Sequence, residues 1–181
     1  MLREWEPEEK PDERELKERL EAAEKKLEIC QLKIKEHRLP VLVLVEGWGA
    51  AGKGSLIGKM IRGIDPRFFR VAAMAEPSLC RYMARIPQEG KFEFLDSGWM
   101  DETVRDCFYG RLTEREYERR TESIRRFERQ LADNGYLVLK FFLHISRKEQ
   151  KKRLDRLMED KDTRWRVSQW DLDQNEHYEE C

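Results

Sequence analysis

The chain has 181 residues, enough for one domain with an appendage but crowded for two, and its 36 lysines and arginines against 37 acids leave a formal net charge of −1, so no global field marks a nucleic-acid or membrane binder. Charged residues make up 40% and hydrophobic residues 39%, a balance that predicts long solvated helices around a compact sheet. Cys30, Cys80, Cys107 and Cys181 are scattered with no C-x-x-C pair and no histidine cluster beside them, no metal-ligand spacing appears, and no stretch approaches roughly eighteen apolar residues, so we expect free thiols in a reducing cytoplasm, with no membrane span and no nucleic-acid partner.

Residues 1–13 carry Pro7 and Pro11 among acids and read as a lead-in. Asp12 offers a helix cap, and from there Leu16, Leu20, Ala23, Leu27, Cys30 and Ile34 recur at alternating steps of four and three, with Glu and Lys on the other faces. That heptad stripe predicts one long amphipathic helix, able either to pack on its own domain or to pair with another subunit. We therefore divide the chain into a lead-in and helix over 1–38 and a core over 39–181.

After Pro40, Val41-Leu-Val-Leu-Val predicts a buried strand, the glycines from Gly47 to Gly54 a turn too tight for side chains, and Ser55 to Arg62 a helix. In such a strand–loop–helix unit successive N–H groups point inward and, with the positive end of the helix dipole, make a cradle for phosphate over which Lys53 extends its ammonium. Gly47, Gly52 and Lys53 match the spacing G-x-x-x-x-G-K, whereas Gly54 stands where the strict motif has Ser or Thr and Ser55 follows one place late. The candidate phosphate-binding residues are Gly47, Gly49, Ala50, Ala51, Gly52, Lys53, Gly54 and Ser55. The hydroxyl missing at position 54 normally helps to hold Mg²⁺, so the loop argues for phosphate and not for metal geometry.

Asp65-Pro66-Arg67 predicts a turn, Phe68 to Met74 a second strand closed by Pro77, and Ser78 to Arg85 a short helical piece. Phe92-Glu-Phe-Leu95 predicts a third strand that runs into Asp96. An acid at the carboxyl end of a neighbouring strand holds the metal or its waters in nucleotide-binding folds of this class, so Asp96 is the natural partner of Lys53. Thr113-Glu-Arg-Glu116 reads as a capping box opening a long helix that ends at Asn134-Gly135. The near-continuous apolar run Tyr136 to Leu143 predicts a fourth strand covered on both faces, and the strand–helix alternation points to a parallel sheet with right-handed crossovers. Ser146-Arg-Lys-Glu149 reads as a second capping box, starting a basic helix that holds Arg147, Lys148, Lys151, Lys152, Arg153 and Arg156. Such a helix is either a solvated face or a closure over a transferred phosphoryl group.

With these pieces in order, the stretch from about Leu39 to Asp171 resembles the second family of polyphosphate kinases, the polyphosphate:nucleotide phosphotransferases. The points of resemblance are the loop Glu46-Gly-Trp-Gly-Ala-Ala-Gly-Lys-Gly54, the Asp65-Pro66-Arg67 turn, Phe127-Glu128 before Asn134-Gly135, Lys140 in the fourth strand, Glu149-Gln150 with Arg153, and Trp165-Arg166 with Ser168 and Asp171. The resemblance implies an α/β, thymidylate-kinase-like P-loop kinase core with a parallel sheet flanked by helices and a helical lid near 146–165. It implies phosphoryl transfer between inorganic polyphosphate and AMP or ADP, with ATP among the nucleotides bound and Mg²⁺ as cofactor, and a homo-oligomer that would suit the leader helix. The family's loop also has glycine where Gly54 stands.

Three departures each touch a different job. Gly49 stands where the family commonly has an Asp, Asp96-Ser97-Gly98-Trp99-Met100 keeps an acid but loses the following arginine, and the stretch from Ala75 to Pro87 is shorter than the family's acceptor-side segment. Relatives also continue beyond the equivalent of Glu180-Cys181, some into a second copy of the domain, which raises the expectation of one part of a tandem protein. On this reading the amides of Gly49 to Gly54 and Lys53 grip phosphate, Asp96 organises Mg²⁺, and Arg153 closes from the lid with Lys152 or Arg147, while Arg81 and Arg85 either bind polyphosphate near the acceptor side or are simply exposed helix arginines. The alternatives are a catalytically degenerate domain that binds nucleotide or polyphosphate within a larger enzyme, and an ATP-dependent small-molecule kinase on the same core.

Overall fold

The computed structural model describes residues 12–73 and 78–180. Residues 1–11 of the expected 1–13 lead-in, the end of the second strand at Met74, its closure at Pro77 and Cys181 lie outside the described residues. Four strands, β1 (Val41–Gly47), β2 (Phe69–Ala73), β3 (Phe92–Asp96) and β4 (Leu137–Leu143), form one sheet in the order β2-β3-β1-β4. Every pairing between neighbours is parallel. The helices are α1 (Glu13–Glu36), α2 (Lys53–Met60), α3 (Leu79–Met83), α4 (Trp99–Phe108), α5 (Glu114–Asp133), α6 (Arg147–Glu159) and α7 (Gln169–Glu176). Among the described residues no helix is long and apolar enough to cross a membrane.

The centre of the sheet is β1, all seven residues of which are buried. Alternate side chains of a strand point to opposite faces, and here both faces are dry. Leu42 and Leu44 pack with Trp99 of α4 and with Ile124 and Leu131 of α5. Val41, Val43 and Val45 pack with Ile57 of α2 and Ile64, and with Leu27 and Ile34 of α1. Burial of each such side chain stabilises the fold by roughly 1.5–3 kcal/mol, which is why the sequence here shows no polar alternation.

The predicted capping box of α5 forms: Thr113 Oγ1 accepts from the Glu116 N–H at 3.3 Å and Glu116 Oε2 accepts from the Thr113 N–H at 2.9 Å. That of α6 forms only by half. Ser146 Oγ accepts from the Glu149 N–H at 3.3 Å, but the Glu149 carboxylate is turned to Arg153 Nε at 2.7 Å. The long leader helix forms too, without a side-chain cap from Asp12. Only part of its stripe packs on the core. Leu27 and Ile34 join it, while Leu16, Leu20 and Cys30 are exposed.

Helix α4 lies where no helix was predicted. Its N-cap is Gly98, which has no side chain to cap with. The missing acceptor arrives from β1, because Glu46 Oε1 accepts from the Met100 N–H at 3.0 Å. A Cβ on residue 98 would lie 2.9 Å from the Glu46 carboxyl carbon, so glycine is needed there for close approach. Tertiary contact does the work that a local capping signature does elsewhere.

The expectation for β4 is overturned. The strand is the open edge of the sheet, and Leu137, Leu139, Phe141 and Phe142 are exposed, Phe142 by 56%. Tyr136 and Val138 pack against the core beneath α5, but Phe142 on that same face is exposed, and so are Leu137, Leu139 and Phe141 on the other face. A continuous apolar run marks a strand without stating how many layers cover it. Two substitutions should separate the centre from the edge. Leu44→Ala should cost about 2–5 kcal/mol in urea unfolding, and Phe142→Ala less than about 1 kcal/mol.

Candidate active site

The loop between β1 and α2 is held from three sides. At Gly47 (φ +126°) a Cβ would lie 2.6 Å from the Leu143 amide nitrogen, so β4 presses directly on the backbone. Gly52 (φ +104°) turns the chain into α2 in a conformation that L side chains rarely adopt. From the far side, Gln174 Oε1 of α7 accepts from the Gly49 N–H at 2.9 Å, and the fully buried Gln150 of α6 donates to the Gly49 carbonyl at 3.4 Å. Trp48 stacks on Tyr178, with ring centroids 4.2 Å apart.

This framework narrows the expected set of phosphate donors. The Gly49 amide is committed to Gln174, and the Ala51 amide donates to the Trp48 carbonyl at 3.2 Å. The amides of Ala50 and Gly52 remain, as do the first-turn amides of Lys53, Gly54 and Ser55, since a helix leaves its leading N–H groups without intrahelical acceptors. Lys53 arches back over the loop, its Nζ donating to the carbonyls of Gly47 at 2.8 Å and Trp48 at 3.2 Å.

A cleft of about 980 Å³ opens above the loop and is lined by Gly49 to Ser55, Asp96, Arg153 and further residues of α4, α6 and α7. Asp96, at the end of β3, has its Oδ2 only 3.4 Å from where a Cβ on Gly54 would stand. Burial holds its carboxyl above the ordinary range, against the pull of the Lys53 charge. Asp101 of α4 is raised by burial as well, and Lys53 opposes that shift. Arg153 reaches the loop from α6, donating through Nη1 to the carbonyls of Ala51 at 3.2 Å and Ala50 at 3.3 Å. Lys53, Asp96 and Arg153, read from distant parts of the sequence, are thus brought to one cleft.

Other expected basic groups stand elsewhere. Arg147 Nε and Nη2 donate to the carbonyls of Asn175 and Glu176, both at 2.9 Å, and so cap the end of α7. Lys152 sits on the outer surface of α6 with Lys148 and Lys151. Arg81 and Arg85 are exposed and are not among the described residues lining the cleft. The reading from sequence missed Asp101, Arg105 and Gln174, and singled out Gln150 only within the Glu149-Gln150 resemblance. The acid and the base on α4 were missed with their helix, and Gln174 because an amide that serves backbone carries no motif.

Gly49 is explained by its neighbour. A Cβ there would fall 2.8 Å from both the Cβ and Cγ of Asp171, whose other carboxylate oxygen accepts from the Ser168 N–H at 2.8 Å in the capping box of α7. The carboxylate of α7 fills the space that a residue-49 side chain needs. Gly49→Ala should therefore destabilise the fold by about 1–3 kcal/mol, relieved in the Gly49→Ala, Asp171→Gly double variant, as measured by urea unfolding. A second prediction follows from the raised carboxyls. Folding disfavours their ionisation, so their stabilising state is the protonated one, present below the unfolded pKa and lost as pH rises through the folded value. Asp96→Asn should thus raise the melting temperature at neutral pH, with the gain disappearing below about pH 4; a fall in melting temperature at pH 7 would contradict it.

Known proteins resemble this chain in sequence and in fold. The chain is 31% identical over 159 residues to the polyphosphate:AMP phosphotransferase of Pseudomonas aeruginosa, covering 83% of this chain and 32% of that protein. It is 31% identical over 161 residues to NDP-polyphosphate phosphotransferase 3 of Ruegeria pomeroyi, covering 84% of this chain and 54% of that protein. The crystal structure of polyphosphate kinase 2 from Arthrobacter aurescens TC1 superposes with a TM-score of 0.89 at 25% identity, covering 99% of this chain and 70% of that one. The chain thus spans between about a third and about a half of the two curated relatives. The profile of polyphosphate kinase 2 (PPK2) matches residues 10–181, and with the P-loop kinase fold and the loop geometry described above, this chain belongs to the PPK2 family.

Proposed function

We propose that the chain carries the site of a polyphosphate-dependent nucleotide phosphotransferase, moving a phosphoryl group between inorganic polyphosphate and AMP or ADP. The observation that supports this reading is the meeting, in one cleft, of Lys53 and the first-turn amides of α2 with Asp96, Asp101 and Arg153, in a chain of the PPK2 family. Phosphoryl transfer asks little covalent work of a protein, so placement and neutralisation of charge dominate. In this proposal Lys53 exchanges its loop carbonyls for phosphate oxygens. Arg153 then approaches the same phosphoryl group from the lid segment near 146–165, as the bond to the leaving phosphate breaks and that to the acceptor oxygen forms.

Mg²⁺ belongs to the same proposal. Magnesium keeps several waters and is commonly held by one or two carboxylates together with substrate phosphates, and the partly buried acids Asp96 and Asp101 beside the loop fit that donor set. When bound, it supplies neutralisation of phosphate charge. The exposed Leu16, Leu20 and Cys30 on α1 support pairing with a second copy through that helix, and the free Cys30, Cys80 and Cys107 suit a reducing cytoplasm.

Incubation of the protein with polyphosphate, Mg²⁺ and AMP or ADP should produce new ADP or ATP. Lys53→Ala should lower that rate roughly 10²–10³-fold, the scale for loss of a central electrostatic contact; an unchanged rate would remove Lys53 from the reaction.

A further inference from the structure

Arg105 lies in the second turn of α4 and lines the same cleft as Lys53, Asp96 and Asp101. Its Nε is buried and meets no hydrogen-bond acceptor. The acids that share its helix are engaged by other cations. Arg120 Nη1 donates to both Glu102 oxygens at 3.3 Å and to Asp106 at 2.9 Å, and Arg111 donates to Asp106 at 3.1 Å. Asp101, one helical turn before Arg105 and well placed for an ion pair on spacing alone, feels the charges of both Lys53 and Arg105 but makes no hydrogen bond to Arg105 Nε. Lys53 and Arg153, by contrast, are bonded to loop carbonyls.

A guanidinium left short of acceptors beside a phosphate-binding loop is poised for an anion. A buried donor without a partner is costly, and the planar fork of arginine matches phosphate oxygens in a way that a lysine does not. The cleft that Arg105 lines is also lined by Ala73 at the end of β2 and by Tyr82 of α3, which feels the Arg105 charge. The residue directly after Asp96 is Ser97, so no cation stands at that point.

We propose that Arg105 binds a phosphate oxygen of the acceptor nucleotide and fixes it on the α4 wall, supplying from this helix the positive charge absent at Ser97. The assignment rests on the phosphotransferase reading above. Arg105→Gln and Arg105→Lys are the tests, with AMP, ADP and polyphosphate as probes. Arg105→Gln should raise the KM for AMP or ADP about ten- to a hundred-fold and leave that for polyphosphate unchanged, with Arg105→Lys restoring only part. The thermal shift that AMP or ADP produces should shrink in Arg105→Gln, while its melting temperature without ligand stays equal to or above that of the wild type. An unchanged nucleotide KM, or a rise confined to polyphosphate, would overturn the assignment. Should the wild type transfer no phosphoryl group, a nucleotide thermal shift lost in Arg105→Gln would still support Arg105 as a nucleotide site while sinking the phosphotransferase reading, and a shift that persists would sink Arg105 as well.

Discussion

The double-sided burial of β1 is the constraint on which the rest of the molecule depends. Every residue of the strand is enclosed, so the strand has no freedom to slide or rotate without exposing a valine or leucine on one face or the other. Its carboxyl end is thereby fixed, and the loop that follows begins at a defined point between β3 and β4. Ligands of open parallel sheets gather at that edge. The contact of Gly47 with Leu143 and of Gly49 with Gln174 extends the same rigidity into the loop. Glu46 carries it to the start of α4 through the Met100 amide.

The cleft pays for this placement in electrostatic terms. Asp96 and Asp101 are partly buried and held above the ordinary carboxylate range by desolvation, and Arg105 keeps a buried donor without an acceptor. These groups lower the stability of the protein alone. Local features that conflict with stability tend to gather where function requires them. Carboxyls held back from ionising beside an arginine donor without an acceptor suit a site for phosphates accompanied by a cation better than they suit a structural core.

The periphery obeys weaker rules. The edge strand β4 and the first half of α1 leave apolar side chains at the surface, and neither exposure could be told from the apolar pattern, which records what a segment can bury and not what is present to bury it. The solvated lysines of α6 show the converse: of one basic helix, Arg153 reaches the loop, Arg147 caps α7, and Lys148, Lys151 and Lys152 face outward.

The sequence by itself determined the sheet strands, the glycine loop with Lys53, the acid at the end of β3 and the box that opens α5. These are local signals, written as runs of apolar residues, as turns that only glycine tolerates, or as side chains that reach backbone three residues away. Only the tertiary structure decided the existence of α4, because its cap comes from Glu46 more than fifty residues earlier in the chain and leaves no trace beside Gly98. It also decided which cations meet the loop, why residue 49 must be glycine, and that Arg105 stands without an acceptor. Those outcomes depend on which distant groups arrive first at a given carboxylate or carbonyl, and spacing along a chain does not encode that competition.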